Sequence, residues 1–174
     1  MNDSVSLDQL LTHYHTLCQY CDEVFTTTFA ALGAHMRCAK GCASCCILET
    51  VTPLEAFVLE CFLQKHPMPM EGMRQSQEAA CVFLHGNACA VYAARPIICR
   101  THGLPLLYPE RGDIEVCPLN FTDFDLDTLE PTSFLDAERI TDNLMRLNLA
   151  FCMLSDQPER AEERIALANI LNHA

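Results

Sequence analysis

A chain of 174 residues, half of them hydrophobic, is long enough to bury a core of its own and too apolar to be disordered. A net charge of −12 excludes nucleic acid as the main partner, because phosphate binding needs a basic patch. No apolar run reaches the roughly 20 residues that span a bilayer, so no membrane segment is expected.

Residues 6 to 32 read as one long helix. Ser6 is its N-cap, and Leu7, Leu10, Leu11, Tyr14, Leu17, Cys18, Cys21, Val24, Phe25 and Phe29 recur at helical spacing before Gly33, which can stop it. Arg37 to Ile47 places small residues between cysteines and reads as a loop that wraps something. Thr52-Pro53-Leu54-Glu55 has the form of a capping box with proline at the first helical position, so a helix is expected from Pro53 to Lys65, ending before Pro67. Residues 67 to 73 form a connector, and a short helix is expected from Glu71 to Ala80.

Residues 81 to 117 read as mostly irregular. The turn signal Tyr108-Pro109-Glu110-Arg111-Gly112-Asp113 implies a small hairpin of Leu104–Tyr108 and Ile114–Cys117. Residues 121 to 132 form an acidic connector. Asp123, Asp125 and Asp127 alternate within it, but the glycine and terminal glutamate of a calcium loop are missing, so they read as solvated. Ser133 to Leu154 reads as a helix with Ser133 or Asp136 in the cap, and Pro158 to Asn172 as a last amphipathic helix. The expected fold is therefore mainly α, in one domain over residues 1–174. Helices (6–32 at the N-terminus, 133–172 at the C-terminus) pack around a loop-rich, cysteine-ligated centre, 38–120, with a small β-hairpin.

The cysteines carry the chemistry. Met1 to Leu11 has Asp3 and Asp8 and no Lys or Arg, unlike a secretory signal, so a reducing cytoplasm is the expected location. Twelve cysteines there point to metal or redox chemistry; six disulfides would be the alternative in an oxidising compartment. Charge follows the same division. Residues 37 to 100 hold six Lys/Arg against five Asp/Glu, whereas the rest of the chain holds five against eighteen. The least acidic region is thus the one that would host anionic metal–thiolate groups.

Cys38-Ala-Lys-Gly-Cys42-Ala-Ser-Cys45-Cys46 brings four thiols into nine residues, with glycine, alanine and serine between them that let the backbone curl and expose its N–H groups to sulfur. Cys81, Cys89, Cys99 and Cys117 supply four more. Eight thiols suit two four-coordinate centres or one polynuclear centre with bridging thiolates. Adjacent Cys45 and Cys46 diverge and could serve two metals side by side. Soft thiolates select zinc, copper(I) or iron–sulfur clusters. Cys42-x2-Cys45 could be one zinc knuckle, but no second knuckle follows. Cys38-x3-Cys42-x2-Cys45 is the spacing with which radical enzymes hold a [4Fe–4S] cluster, although this chain is too short for their barrel. An iron–sulfur cluster is the expected cofactor and Zn2+ the alternative.

At these residues the chain resembles the YkgJ-type cysteine-cluster family, also written CxxCxxCC. The resemblance rests on Cys38…Cys42…Cys45-Cys46 and on Cys81-x7-Cys89 followed by Tyr92-Ala-Ala-Arg95-Pro96-Ile-Ile-Cys99-Arg100, with Val82 standing where many relatives have proline. It implies chelation of zinc or iron without assigning a catalytic mechanism. Flagellin lysine methylases carry a related cluster but are much longer.

Around the cluster, Arg95 and Arg100 flank Cys99 and can offset thiolate charge, or else form a salt bridge with an acid. His102 is a candidate neighbour of the centre, with His85 weaker; Asn120 reads as a loop cap. Cys18, Cys21, Cys61 and Cys152 lie on apolar helical faces and read as core. No catalytic residue is assigned, and whether the chain is an enzyme stays open. Three functions follow in order: an iron–sulfur protein with a structural or electron-transfer role beside a protein partner; a zinc-stabilised interaction module; a cluster-dependent oxidoreductase or protein-modifying enzyme.

Overall fold

The computed structural model describes residues 6–67 and 80–173. The expected helix Glu71–Ala80 and most of the connector before it lie outside the described residues. Mainly helical architecture is what the remainder shows.

Helix α1 (Leu7–Leu32) opens with a reciprocal capping box between Ser6 and Gln9. Its buried stripe of Leu10, Tyr14, Cys18 and Cys21 faces helices α3 (Ile97–Thr101) and α4 (Ala137–Leu154). Gly33 does not end α1 with a left-handed turn. Its φ of −57° continues into a tighter 3-10 turn, Gly33–His35. Helix α2 (Pro53–Lys65) has the expected bounds and the expected Thr52/Glu55 capping box. It runs through the centre of the molecule. Leu54 packs with α1, Ile97, Leu104, Leu135 and Ile140, while Ala56, Leu59 and Leu63 pack with Phe83, Val91, Leu167, Ile170 and Leu171. Each such leucine, fully buried, contributes roughly 1.5–3 kcal/mol.

Strands β1 (Thr50–Val51), β2 (Leu84–His85), β3 (Ala88–Cys89), β4 (Leu106–Tyr108), β5 (Asp113–Glu115), β6 (Leu135–Asp136) and β7 (Ile165–Ala166) are short. The expected hairpin is β4–β5, but β6 joins it as a parallel third strand. Pairing of Leu135 with β4, and its amide bond to the carbonyl of Pro105 (3.0 Å), delays the start of α4 from Ser133 to Ala137; Asp136 is the N-cap.

The C-terminal segment departs further from expectation. It is not one helix over 158–172 but a 3-10 turn (Pro158–Glu162), then β7 paired antiparallel with β1, then α5 (Leu167–His173). Local helical preference yields here to tertiary bonds: the Leu167 amide donates to the Glu49 carbonyl at 2.8 Å, and Arg164 donates to the Thr50 carbonyl at 3.1 Å.

Asn148 of α4, with no exposed surface, joins these parts. Its Oδ1 accepts from the Leu54 amide (3.0 Å) and its Nδ2 donates to the Ala161 carbonyl (2.8 Å). Asn148→Leu is expected to lower stability by about 2–4 kcal/mol, since it leaves two backbone groups without partners. Urea unfolding checks this, and an unchanged midpoint would contradict it.

Candidate metal centre

Four chain segments carry the eight candidate cysteines. The first, Cys38 to Cys46, is wound by two successive turns in which the Cys42 amide donates to the Ala39 carbonyl (3.0 Å) and the Cys46 amide to the Ala43 carbonyl (2.9 Å). The second is a hairpin not foreseen from the sequence. β2 and β3 pair Leu84 with Cys89 across Gly86-Asn87, whose φ angles of +55° and +59° are those of a tight two-residue turn. Phe83 and Val91, both buried, root this hairpin in the core. The Cys81 amide donates to the Cys46 carbonyl at 2.7 Å, joining the first two segments.

The third segment, α3, carries Cys99, and two charged groups hold it. The Glu55 carboxylate, buried at the start of α2, accepts from the Ile97 amide at 3.0 Å. Asp22 of α1 pairs with Arg95 at 2.5 Å and also with Arg100. Arg95 stacks on the Tyr92 ring, and Arg100 donates to the carbonyls of Arg95 and Ala93. Both arginines therefore form an ion pair with an acid, one that draws α3 onto α1. The Arg100 charge acts on the buried thiols Cys18 and Cys21, while that of Arg95 acts on Cys89.

The fourth segment, Cys117 to Asn120, closes the assembly. Asn120 is buried; its Oδ1 accepts from the Arg37 amide (2.7 Å) and its Nδ2 donates to the Gly103 carbonyl (2.8 Å) and to Cys38 Sγ (3.2 Å). The next residue, buried Phe121, has a left-handed φ of +56°, and its amide donates to the His35 carbonyl at 2.7 Å. Such a conformation in an aromatic residue is strained and is held by its surroundings. Gly103, at φ +103°, has no room for a side chain: a Cβ there would lie 2.5 Å from Cys38 Sγ. Gly103→Ala is expected to cost about 2–4 kcal/mol, from backbone strain and overpacking together, and to lower metal content. A melting curve with elemental analysis checks both effects; an unchanged Tm would contradict the packing.

Burial pushes up the thiols of Cys38, Cys45, Cys46, Cys81, Cys89 and Cys99, that of Cys45 to about 11. Neighbouring thiols add to the rise at Cys38, Cys45, Cys46, Cys89 and Cys99, and Asn120 opposes it at Cys38. Taken as whole residues Cys42 and Cys99 are exposed and the others half-buried, although the Cys99 sulfur is itself crowded by its surroundings. Among the described residues, no three His, Cys, Asp or Glu side chains converge tightly enough to hold an ion as they stand. Closing the thiols onto a metal takes side-chain rotation and loss of the thiol protons. In donor chemistry the cysteines fit zinc or an iron–sulfur group, both of which take soft sulfur ligands, while His85 and His102 are exposed.

Cys18, Cys21 and Cys152 are buried as expected, but Cys61 is only half-buried. Sequence reasoning missed Asp22, Glu55 and Gly103 as organisers and reduced Asn120 to a cap. An acid next to the buried stripe of α1 was the available signal for Asp22, since a charge there needs a partner.

A helical frame around a sulfur-rich cluster defines a cysteine-rich metal-binding protein. Residues 37–118, the segment that contains all eight candidate cysteines, match the CxxCxxCC family model, described as "Putative zinc- or iron-chelating domain". No curated protein and no solved structure matches the chain. No helix among the described residues is long and apolar enough to cross a membrane.

Proposed function

We propose that Cys38, Cys42, Cys45, Cys46, Cys81, Cys89, Cys99 and Cys117 hold an iron–sulfur centre that is structural or carries electrons to a protein partner. The observation that carries this reading is that cysteine-bearing segments far apart in the chain are tied together, by the Cys81 amide on the Cys46 carbonyl and by Asn120 on Cys38 Sγ. Iron–sulfur clusters accept the irregular spacing of these cysteines more readily than zinc knuckles do. Bound iron–sulfur would supply one-electron chemistry; the chain's residues would hold it, shape its access and set its charge environment.

Partner docking is supported by the rim of the cluster. Ile47, Tyr92, Ile98 and Leu119 are exposed, and each lies within three residues of a cluster cysteine. Exposed apolar side chains next in sequence to the cluster cysteines fit a transient protein contact.

Purification without oxygen, followed by an absorption spectrum and analysis for iron, sulfide and zinc, tests the reading. A brown protein with iron and sulfide in equal amounts is expected. Colourless protein with stoichiometric zinc would replace it with the zinc-stabilised interaction module. One observation favours a third reading, a cluster-dependent enzyme: a cavity of about 350 Å3, mostly apolar, counts Cys117 and His102 among its lining residues. Its test is whether small apolar molecules perturb the visible spectrum of the loaded protein.

A further inference from the structure

We propose that the cavity between α3, α4 and strands β4 and β6 binds a small apolar molecule that ends in a carboxylate, with Arg164 taking the head group. The site needs the fold alone, so the metal reading of the thiols stands or falls separately. Cys117 is the one candidate ligand on the cavity wall.

The walls set the body of the molecule. At about 350 Å3 the cavity has the size of a small-molecule site, for which roughly 300–1,000 Å3 is usual. Ile97 of α3, Leu135 of β6 and Ile140 of α4 line it and belong to the buried core, while Leu106 and Leu144 line it and pack against them. Such walls give water few hydrogen-bond partners, so a hydrocarbon chain or ring gains by taking its place.

The charges set the head group. Both acids among the lining residues are already engaged. Glu55 accepts from the Thr52 amide (3.3 Å), the Thr52 hydroxyl (3.0 Å) and the Ile97 amide (3.0 Å), and Glu115 pairs with Arg111 at 2.6 Å. Arg164 is the one lysine or arginine that lines the cavity, and it is exposed, which puts its charge where the cavity meets water. Its Nη2 donates to the carbonyl of Thr50, itself a lining residue, at 3.1 Å. No acid among the described residues pairs with it, and the adjacent Glu163 is taken by Arg160 at 2.9 Å. A guanidinium carries five N–H donors in a rigid fork, and a carboxylate accepts two of them side by side. The net charge of −12 favours cations in general, so a preference for an anion here would belong to this fork and not to the overall field.

Calorimetric titration of the full chain with octanoate, octanol and octylamine tests the site. Two temperatures are used, because burying an apolar tail changes the heat capacity and the heat cannot vanish at both. Octanoate should bind saturably and more tightly than octylamine. Arg164→Gln should weaken octanoate by about tenfold, the loss of a charge-assisted bond, and leave octanol within about twofold. Arg139→Gln, on α4 but outside the lining, removes the same charge and should leave octanoate binding as it was. Absence of saturable octanoate binding overturns the proposal. So does tighter binding of octylamine, or equal octanoate affinity in the parent and Arg164→Gln. Loss of octanol together with octanoate from a folded Arg164→Gln chain would mean that the arginine holds the wall and not a head group, and overturns it too. If that variant unfolds, the ranking of octanoate against octylamine on the unsubstituted chain decides.

Discussion

Cys45→Ser and Cys99→Ser are each expected to lose bound metal and to lower Tm by about 10 °C or more, because ligation and folding are coupled in a site assembled from distant segments. Cys45 belongs to the first segment and Cys99 to α3, so the two variants each remove a thiol from a different segment. The loss of Tm reflects the composition of this region. Between Cys38 and Cys46 the residues are half-buried or exposed and, Lys40 apart, small, and the local turns alone offer little apolar burial. Cys18→Ala is the control. Its sulfur is buried on α1 among core residues, and its removal should cost about 1 kcal/mol or a little more while metal content stays full. Elemental analysis and thermal melts on the three variants settle the matter. Full metal in both serine variants would mean that these cysteines are not ligands.

Asp22→Ala is expected to destabilise the protein by about 2–4 kcal/mol, near the lower end of what breaking a buried ion pair costs. Arg100 is 8% exposed and its guanidinium would lose its only acidic partner in the described structure, whereas Asp22 is 37% exposed and water offsets part of the loss. At roughly 2–4 °C per kcal/mol for a chain this long, Tm should fall by about 5–15 °C. The effect should also reach the metal centre. Asp22 draws together Arg95 and Arg100, which bracket Cys99, so metal should leave the variant faster when a chelator is added. Asp22→Asn keeps the shape and removes the charge, and should fall between. A variant that melts within a degree of the parent would show that the pairs form no part of what holds α3.

Much of this was written into local stretches of chain. The bounds and capping box of α2 follow from Thr52-Pro53-Leu54-Glu55, and the length of α1 from a stripe that repeats every third or fourth residue. These signals survive because the atoms that make a cap or a helical face are only a few residues apart. The eight candidate ligands were legible for a different reason: thiols in that number and density, separated by small residues, have little use in packing. The expected helix over 158–172 failed where β1, more than a hundred residues earlier, supplied partners for Ile165 and Ala166. The late start of α4 has the same origin in the pairing of β6 with β4.

By itself, the order of residues determined the helical frame and the cysteine-rich segment, residues 37–118, that matches the CxxCxxCC family model. Only the tertiary structure decided which thiols are neighbours, and that the neighbourhood is held by Asp22, Glu55, Gly103 and Asn120. The reason is range: a cap or helical stripe is specified within one or two turns, whereas Asn120 meets Cys38 across 82 residues and Asp22 meets Arg100 across 78. Contacts that distant depend on how every intervening element packs, and no local pattern records them.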